Sequence, residues 1–350
     1  MLIRLFAAAL LSLGSAVVLP AHGAEVSGAG STFVFPVLSK WADAYKRATG
    51  ITINYQSIGS GAGIKQIKAK AIDFGATDAP LDPKELAGAG LVQFPIVMGG
   101  VVPVVNLRGI AAGQLKLTGP ILADIYLGKI QRWNAPEIAA LNPGLALPDQ
   151  PIIPVYRSDG SGTTYVFADY LSKVSSEWRT KIGASTAVEF PGGIGGKGSD
   201  GVAAFTASTA GAIGYVEYAY AKHNKLAYAL VKNHAGVFVT PNSASFRSAA
   251  ANADWTKAVG FYMLLADQQG PESWPISGST FVLIQKNQQK AGVAPDMLKF
   301  FDWAYRNGAT LADELDYVSI PPNVAQVVEA TWAEIKEPDG RPAWTGTPQN

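Results

Sequence analysis

RSDGSGT, residues 157–163, is the stretch on which the reading of this chain turns. It sets a cation, Arg157, before glycines and hydroxyls, and a helical pattern follows in which Val166, Tyr170 and Val174 share a face. The start of a helix leaves backbone N–H groups without internal partners and carries partial positive charge, so it receives an anion without any lysine. Glycine lets the backbone come close, and Ser or Thr adds a hydroxyl donor. Two earlier stretches repeat the design: GAGSTF, Gly28 to Phe33, and IGSGAG, Ile58 to Gly63. Any one of the three alone reads better as an ordinary N-cap and turn. Three of them, one beside Arg157, read as an oxyanion site.

The segments around these loops alternate strands and helices in the manner of α/β units. After GAGSTF, the residues Val34, Leu38, Trp41 and Tyr45 recur at helical spacing, with Pro36 tolerated in the first turn. Ile51, Ile53 and Tyr55 then alternate as in a strand, and a second helix carries Ile64 and Ile67. Phe94 to Val105 reads as a buried strand that crosses into a second lobe. Further helices are expected around Ile121–Leu127 and Ser161–Val174, with a Pro-rich loop, Asn142 to Pro154, between them. GGIGGKGSDG, Gly192 to Gly201, reads as a glycine-rich loop, and AGAIGYVEYAYA as a turn followed by a strand or helix. A last apolar strand, Thr280 to Ile284, precedes helices around Met297–Tyr305 and Val324–Ile335.

At 350 residues the chain is long enough for about two domains and a cleft between them. Arg4, the apolar run Leu5 to Leu19 and the small residues up to Ala24 read as a secretory signal peptide, residues 1–24, with His22 an unusual residue so near the cut. No later stretch is long and apolar enough to span a bilayer. There is no cysteine, hence no disulfide framework, thiolate nucleophile or lipid-bearing cysteine. A free periplasmic protein, exported and soluble, without a membrane anchor, is expected. The formal charge is +1, and Arg4 is the only charge in residues 1–24, so the remainder carries 1 − 1 = 0. Such a balance gathers neither nucleic acid nor anions at long range, and any anion binding has to be local.

Enzyme readings fail on particular residues. A Walker loop needs Gly-Lys-Ser/Thr after its spacers, but Lys197 is followed by Gly198, and Lys65 follows Ile64. A nucleophile elbow around Ser60 or Ser161 would need leading glycines where Ile58 and Asp159 stand. The histidines are His22, His223 and His234, the last two expected on the surface, and no HExxH or cysteine cluster offers a metal site. No catalytic residue, cofactor or metal is expected.

In these segments the chain resembles the periplasmic phosphate-binding proteins of phosphate-specific ABC transporters, type II solute-binding proteins. Further runs that carry the likeness are KWADAY (Lys40–Tyr45), DFGATDAP (Asp73–Pro80), FPIVMGGVVPVVN (Phe94–Asn106), DIYLGKI (Asp124–Ile130), LNPGLALP (Leu141–Pro148), GAIGYVEYAYAK (Gly211–Lys222) and KFFDWAY (Lys299–Tyr305). The resemblance implies an α/β fold of two lobes joined by two chain crossings, with the ligand in the cleft. Lobe I would comprise 25–98 and 278–350, and lobe II 99–277. It implies inorganic phosphate as ligand, held by Thr32, Phe33 through its N–H, Ser60, Asp78, Arg157, Asp159, Ser161, Gly162 and Thr163. It implies delivery by a monomer to the permease and ATPase subunits of an ABC transporter. Gly61 departs from the serine of many relatives, with no ligand expected to be lost. EPDGRPAWTGTPQN, the C-terminal tail, matches nothing in the pattern. A sulfate or molybdate receptor, a secreted phosphatase, and a surface protein retaining the fold for adhesion or sensing are the competing readings.

Overall fold

The structure is a computed structural model and describes residues 25–346. The expected signal peptide therefore lies outside the described residues. Strand β1 (Glu25–Gly30) pairs in parallel with β2 (Thr52–Ser57) on one side and β3 (Phe74–Thr77) on the other. Helices α1 (Phe35–Thr49) and α2 (Ser60–Lys68) make the crossovers between consecutive parallel strands. The apolar spacing of α1 is used as expected: Leu38, Trp41 and Tyr45 are buried, Tyr45 edge-on to Phe300 at 5.3 Å, and Trp41 Nε1–H donates to the Gly308 carbonyl at 2.9 Å.

One strand organises everything else. β4 (Leu91–Val105) is buried along all fifteen residues and spans about 50 Å at the usual rise. From Leu91 to Gly100 it pairs antiparallel with the strand Ser277–Gln285, and from Val101 to Val105 with the strand Ala212–Glu217. The Ser277–Gln285 strand is itself inserted between β3 and β4, so the chain does return to the first group of strands. Beyond Ala212–Glu217 come Ile153–Arg157 and Ile194–Gly196, both parallel. The sheet therefore runs β2, β1, β3, 277–285, β4, 212–217, 153–157, 194–196. Its two proline positions within β4 are tolerated differently. Pro95 lies where the register slips against Thr280/Phe281, an irregularity that accommodates its missing N–H, and Pro103 sits opposite Tyr215.

Two expectations are refined. GGIGGKGSDG is not wholly loop: Ile194–Gly196 forms a short strand and the helix Gly198–Ser208 begins inside the motif. AGAIGYVEYAYA supplies both alternatives, the strand Ala212–Glu217 followed directly by the helix Tyr218–His223.

The C-terminal tail acquires a packing role. Lys336 bridges Asn287 and Pro342, Ala343 is buried, and Trp344 stands edge-on to the buried Trp332 with centroids 5.0 Å apart. Trp332 in turn meets Phe94 at 5.5 Å, so the tail seals the core behind β4. Trp344→Ala should cost about 1–2 kcal/mol, because a cavity opens over an aromatic cluster. Thermal unfolding checks this, and an unaltered midpoint would make the contact incidental.

Candidate functional site

All three glycine-rich loops reach the same place, at the carboxyl ends of β1, β2 and the strand Ile153–Arg157, as expected of crevices in parallel α/β sheets. The bland reading of these loops as helix caps holds for one of them. Ser161 is the N-cap of the helix Gly162–Val174, its Oγ accepting from Thr164 N–H at 3.0 Å. The helices α1 and α2 begin at Val34 and Gly59 with no side-chain cap, so the hydroxyls beside them point elsewhere.

Arg157 is buried, its side chain 1 % exposed, and three of its five guanidinium N–H donors meet protein acceptors. Nε–H and an Nη2–H donate to the two carboxylate oxygens of Asp159 at 2.7 and 2.6 Å, a two-pronged pair rather than a surface contact. Nη1–H reaches Thr32 Oγ1 at 3.0 Å, across 125 residues of sequence. Asp159 Oδ1 also accepts from Gly198 N–H at 2.9 Å, where the fourth glycine-rich segment starts its helix. Burial pulls the Asp159 carboxyl upward, but the bonds and charge of Arg157 and the Gly198 N–H outweigh it and hold the group below the usual carboxylate range.

Asp78 is buried on the other side of the site, after β3. Its Oδ1 accepts from the hydroxyls of Ser31 and Thr280, each at 2.6 Å, while Oδ2 takes the longer arm of Ser31, at 2.8 Å, with the Ser60 hydroxyl nearby. Oδ2 lies above the first residue of the Gly162 helix, since a Cβ built on Gly162 would fall 2.5 Å from it and 2.5 Å from Ser60 Oγ. Only glycine permits this approach. Burial pushes the Asp78 carboxyl up to about 6, against the lowering effect of the Ser31 and Thr280 hydroxyls, the Arg157 charge and Ser60.

Ser60, buried at the start of α2, accepts from Asp78 N–H at 3.3 Å, which leaves its own proton to give. Thr163 Oγ1 is buried with no protein partner, a donor and acceptor whose desolvation is uncompensated within the chain. Phe33 N–H is directed at Ser31 Oγ, 3.0 Å away. Gly61 turns out to be where the facing loops touch: its N–H donates to the Gly160 carbonyl at 2.9 Å, and an added Cβ would sit 3.0 Å from Gly160 Cα. Contacts thus join Thr32, Arg157 and Asp159 on one side and Ser60, Asp78 and Gly162 on the other, with Phe33, Ser161 and Thr163 beside them in the chain. Arg157 and Asp159 offset each other in formal charge, so neutral donors and helix starts add to whatever attraction the guanidinium offers an anion.

The sequence profile of the PBP superfamily domain matches residues 19–307. The phosphate-binding protein PstS of Pasteurella multocida is 50 % identical over 333 residues, covering 95 % of this chain and 97 % of its own. That of Xylella fastidiosa strain 9a5c is 53 % identical over 309 residues, 88 % of this chain and 85 % of its own. The chain belongs to the PstS family of phosphate-binding proteins. Its two-lobed α/β fold is also that of a high affinity periplasmic phosphate-binding protein solved with phosphate, at a TM-score of 0.70 and 21 % identity, over 88 % of this chain and 94 % of the other.

In this PstS family member several residues of the site escaped the sequence reading. Ser31, inside GAGSTF, carries no signal that sets it apart from its neighbours, yet it binds Asp78 directly. Thr280 looked like one more residue of an apolar strand, and Ser199, 2.7 Å from Thr32 Oγ1, like part of a loop. Tyr220 and Tyr317, which donate to the carbonyls of Thr32 and Phe33 at 2.8 and 2.6 Å, gave no signal beyond burial. His223 and His234 are exposed, as expected. Among the described residues no group of three or more His, Cys, Asp or Glu is placed to hold a metal, and no helix is long and apolar enough to cross a membrane.

Proposed function

We propose that this chain binds inorganic phosphate in the periplasm, between lobe I (25–98 and 278–350) and lobe II (99–277), and delivers it as a monomer to the permease and ATPase subunits of an ABC transporter. Residues 1–24 are the signal peptide in this reading. Thr32, the Phe33 N–H, Ser60, Ser161, the Gly162 N–H and Thr163 donate to the phosphate oxygens, Arg157 supplies the full positive charge, and Asp159 fixes the guanidinium in its plane.

The observation that carries the reading is the uneven satisfaction of Asp78. Two hydroxyls occupy Oδ1, and Oδ2 is turned toward the donors of Ser60 and the Gly162 helix start. A carboxylate facing a bound anion is unfavourable unless the anion brings a proton. Phosphate near neutral pH carries one and sulfate carries none. The geometry thus favours phosphate over sulfate or molybdate, and the relatives named for phosphate binding support the same ligand. The chemistry is binding without bond breaking, so the protein is no enzyme.

Calorimetric titration with phosphate and with sulfate tests the reading, with tight binding expected for phosphate alone. Scattering on the same samples should show compaction with phosphate, as expected of lobes that close on a ligand. Equal affinity for the two anions would overturn the assignment.

A further inference from the structure

Glu217 is a fully buried carboxyl that the binding site described so far does not use. It ends the strand Ala212–Glu217, opposite Val101 where β4 passes from one set of partners to the other, and it caps the helix Tyr218–His223 by accepting from Ala219 N–H at 2.8 Å. The same oxygen, Oε2, lies 2.8 Å from the hydroxyl of Tyr317, and that hydroxyl lies 2.6 Å from the Phe33 carbonyl. Oε1 is buried without a partner.

A tyrosine hydroxyl has one proton, and a carbonyl has none to give. If Tyr317 donates to Phe33, the shorter of the two contacts, its lone pair faces Oε2. That contact is attractive only when Oε2 bears a proton of its own. The groups facing Glu217 supply no compensating cation: they are Tyr218 and Tyr220 on its own helix, and Tyr317 and Asp316 on the facing segment. Lys222 is engaged by Asp316. From β4 comes Val101.

We propose that Glu217 is a positioning residue which, as a neutral carboxylic acid, donates to Tyr317 and so holds the Phe33 carbonyl, and through it the Thr32–Phe33 loop, in place for the anion. Ionising it draws the Tyr317 proton away from the Phe33 carbonyl and loosens the loop. The inference rests on the reading that phosphate is held by that loop. Burial, aided by the Asp316 charge, pushes the Glu217 carboxyl up to about 8 against the Ala219 and Tyr220 N–H groups and the Tyr317 hydroxyl, so the relay is intact at neutral pH and fails in mild alkali.

The test is calorimetric titration of wild type, Glu217→Gln and Tyr317→Phe with inorganic phosphate at pH 7 and pH 9. Phosphate and Asp78 titrate in both wild type and Glu217→Gln, so the ratio of their affinities isolates Glu217. Between pH 7 and pH 9 wild type should lose about tenfold relative to Glu217→Gln, one unit past the carboxyl's titration. Tyr317→Phe should bind several-fold more weakly than wild type at pH 7 and show no such alkaline loss relative to Glu217→Gln. The infrared difference spectrum, wild type minus Glu217→Gln, should contain the carbonyl band of a protonated carboxylic acid at pH 7, gone at pH 9. A ratio that stays constant, or a pH 7 spectrum without the band, overturns the proposal. Wild type that does not bind phosphate at all overturns the functional reading instead, and the infrared band still decides whether Glu217 is protonated.

Discussion

Arg157→Ala is expected to weaken phosphate binding by about 2 to 5 kcal/mol, from some thirtyfold to several thousandfold, the usual cost of truncating one partner of a buried, hydrogen-bonded charge pair. The loss has two parts. The anion loses the one full positive charge among the proposed ligands, and Asp159 is left half-buried with only backbone N–H donors, a negative charge close to where the ligand should sit. Thr32 Oγ1 also loses its tie to the facing loop. Arg157→Lys should fall between, since an ammonium cannot span both Asp159 oxygens and reach Thr32 at once. Calorimetry measures both variants, and near-native affinity in Arg157→Ala would place the anion somewhere else.

Asp78→Asn should erode selectivity more than affinity. The amide keeps an oxygen for the Ser31 and Thr280 hydroxyls but removes the charge that repels an unprotonated anion, so the preference for phosphate over sulfate should shrink by about two orders of magnitude or more. Competition between the two anions measures it, and unchanged discrimination would remove Asp78 from its role. The same substitution has a signature without ligand. Because the folded carboxyl is raised from 3.8 to about 6, the folded state holds its proton more tightly than the unfolded chain does. Its stabilising effect is complete below pH 3.8 and lost as pH rises through 6. Ligand-free Asp78→Asn should therefore escape a penalty on the order of 3 kcal/mol that wild type bears at pH 8, and lose that advantage at pH 3. Thermal melts at the two pH values check the sign.

How far the sequence led can be judged from individual residues. The loops were legible because each carries its signal locally, glycine and hydroxyls before a helix, and Arg157 because a lone cation beside them is conspicuous. Asp78 was not legible from spacing: Asp-Ala-Pro looks like a turn, and only the family resemblance singled it out. Thr280 could not be found at all, since it meets Asp78 across 202 residues through a strand inserted between β3 and β4. Glu217 was hidden in an apolar run. Its effect depends on Tyr317, a hundred residues later, sharing one proton between two neighbours. What escaped was long-range pairing, which is set by sheet order rather than by any local pattern.

That sheet order also says where this protein can be handled. Everything from Asn106 to Ile276 is spliced between two adjacent strands, β4 and Ser277–Gln285, while Glu25 and the tail around Trp344 belong with the elements on the other side of the splice. A tether at either of those ends grips the same half. On the proposed division into lobes, a dye on the spliced segment would report closure against an anchored frame, the layout of an immobilised sensor with one free jaw.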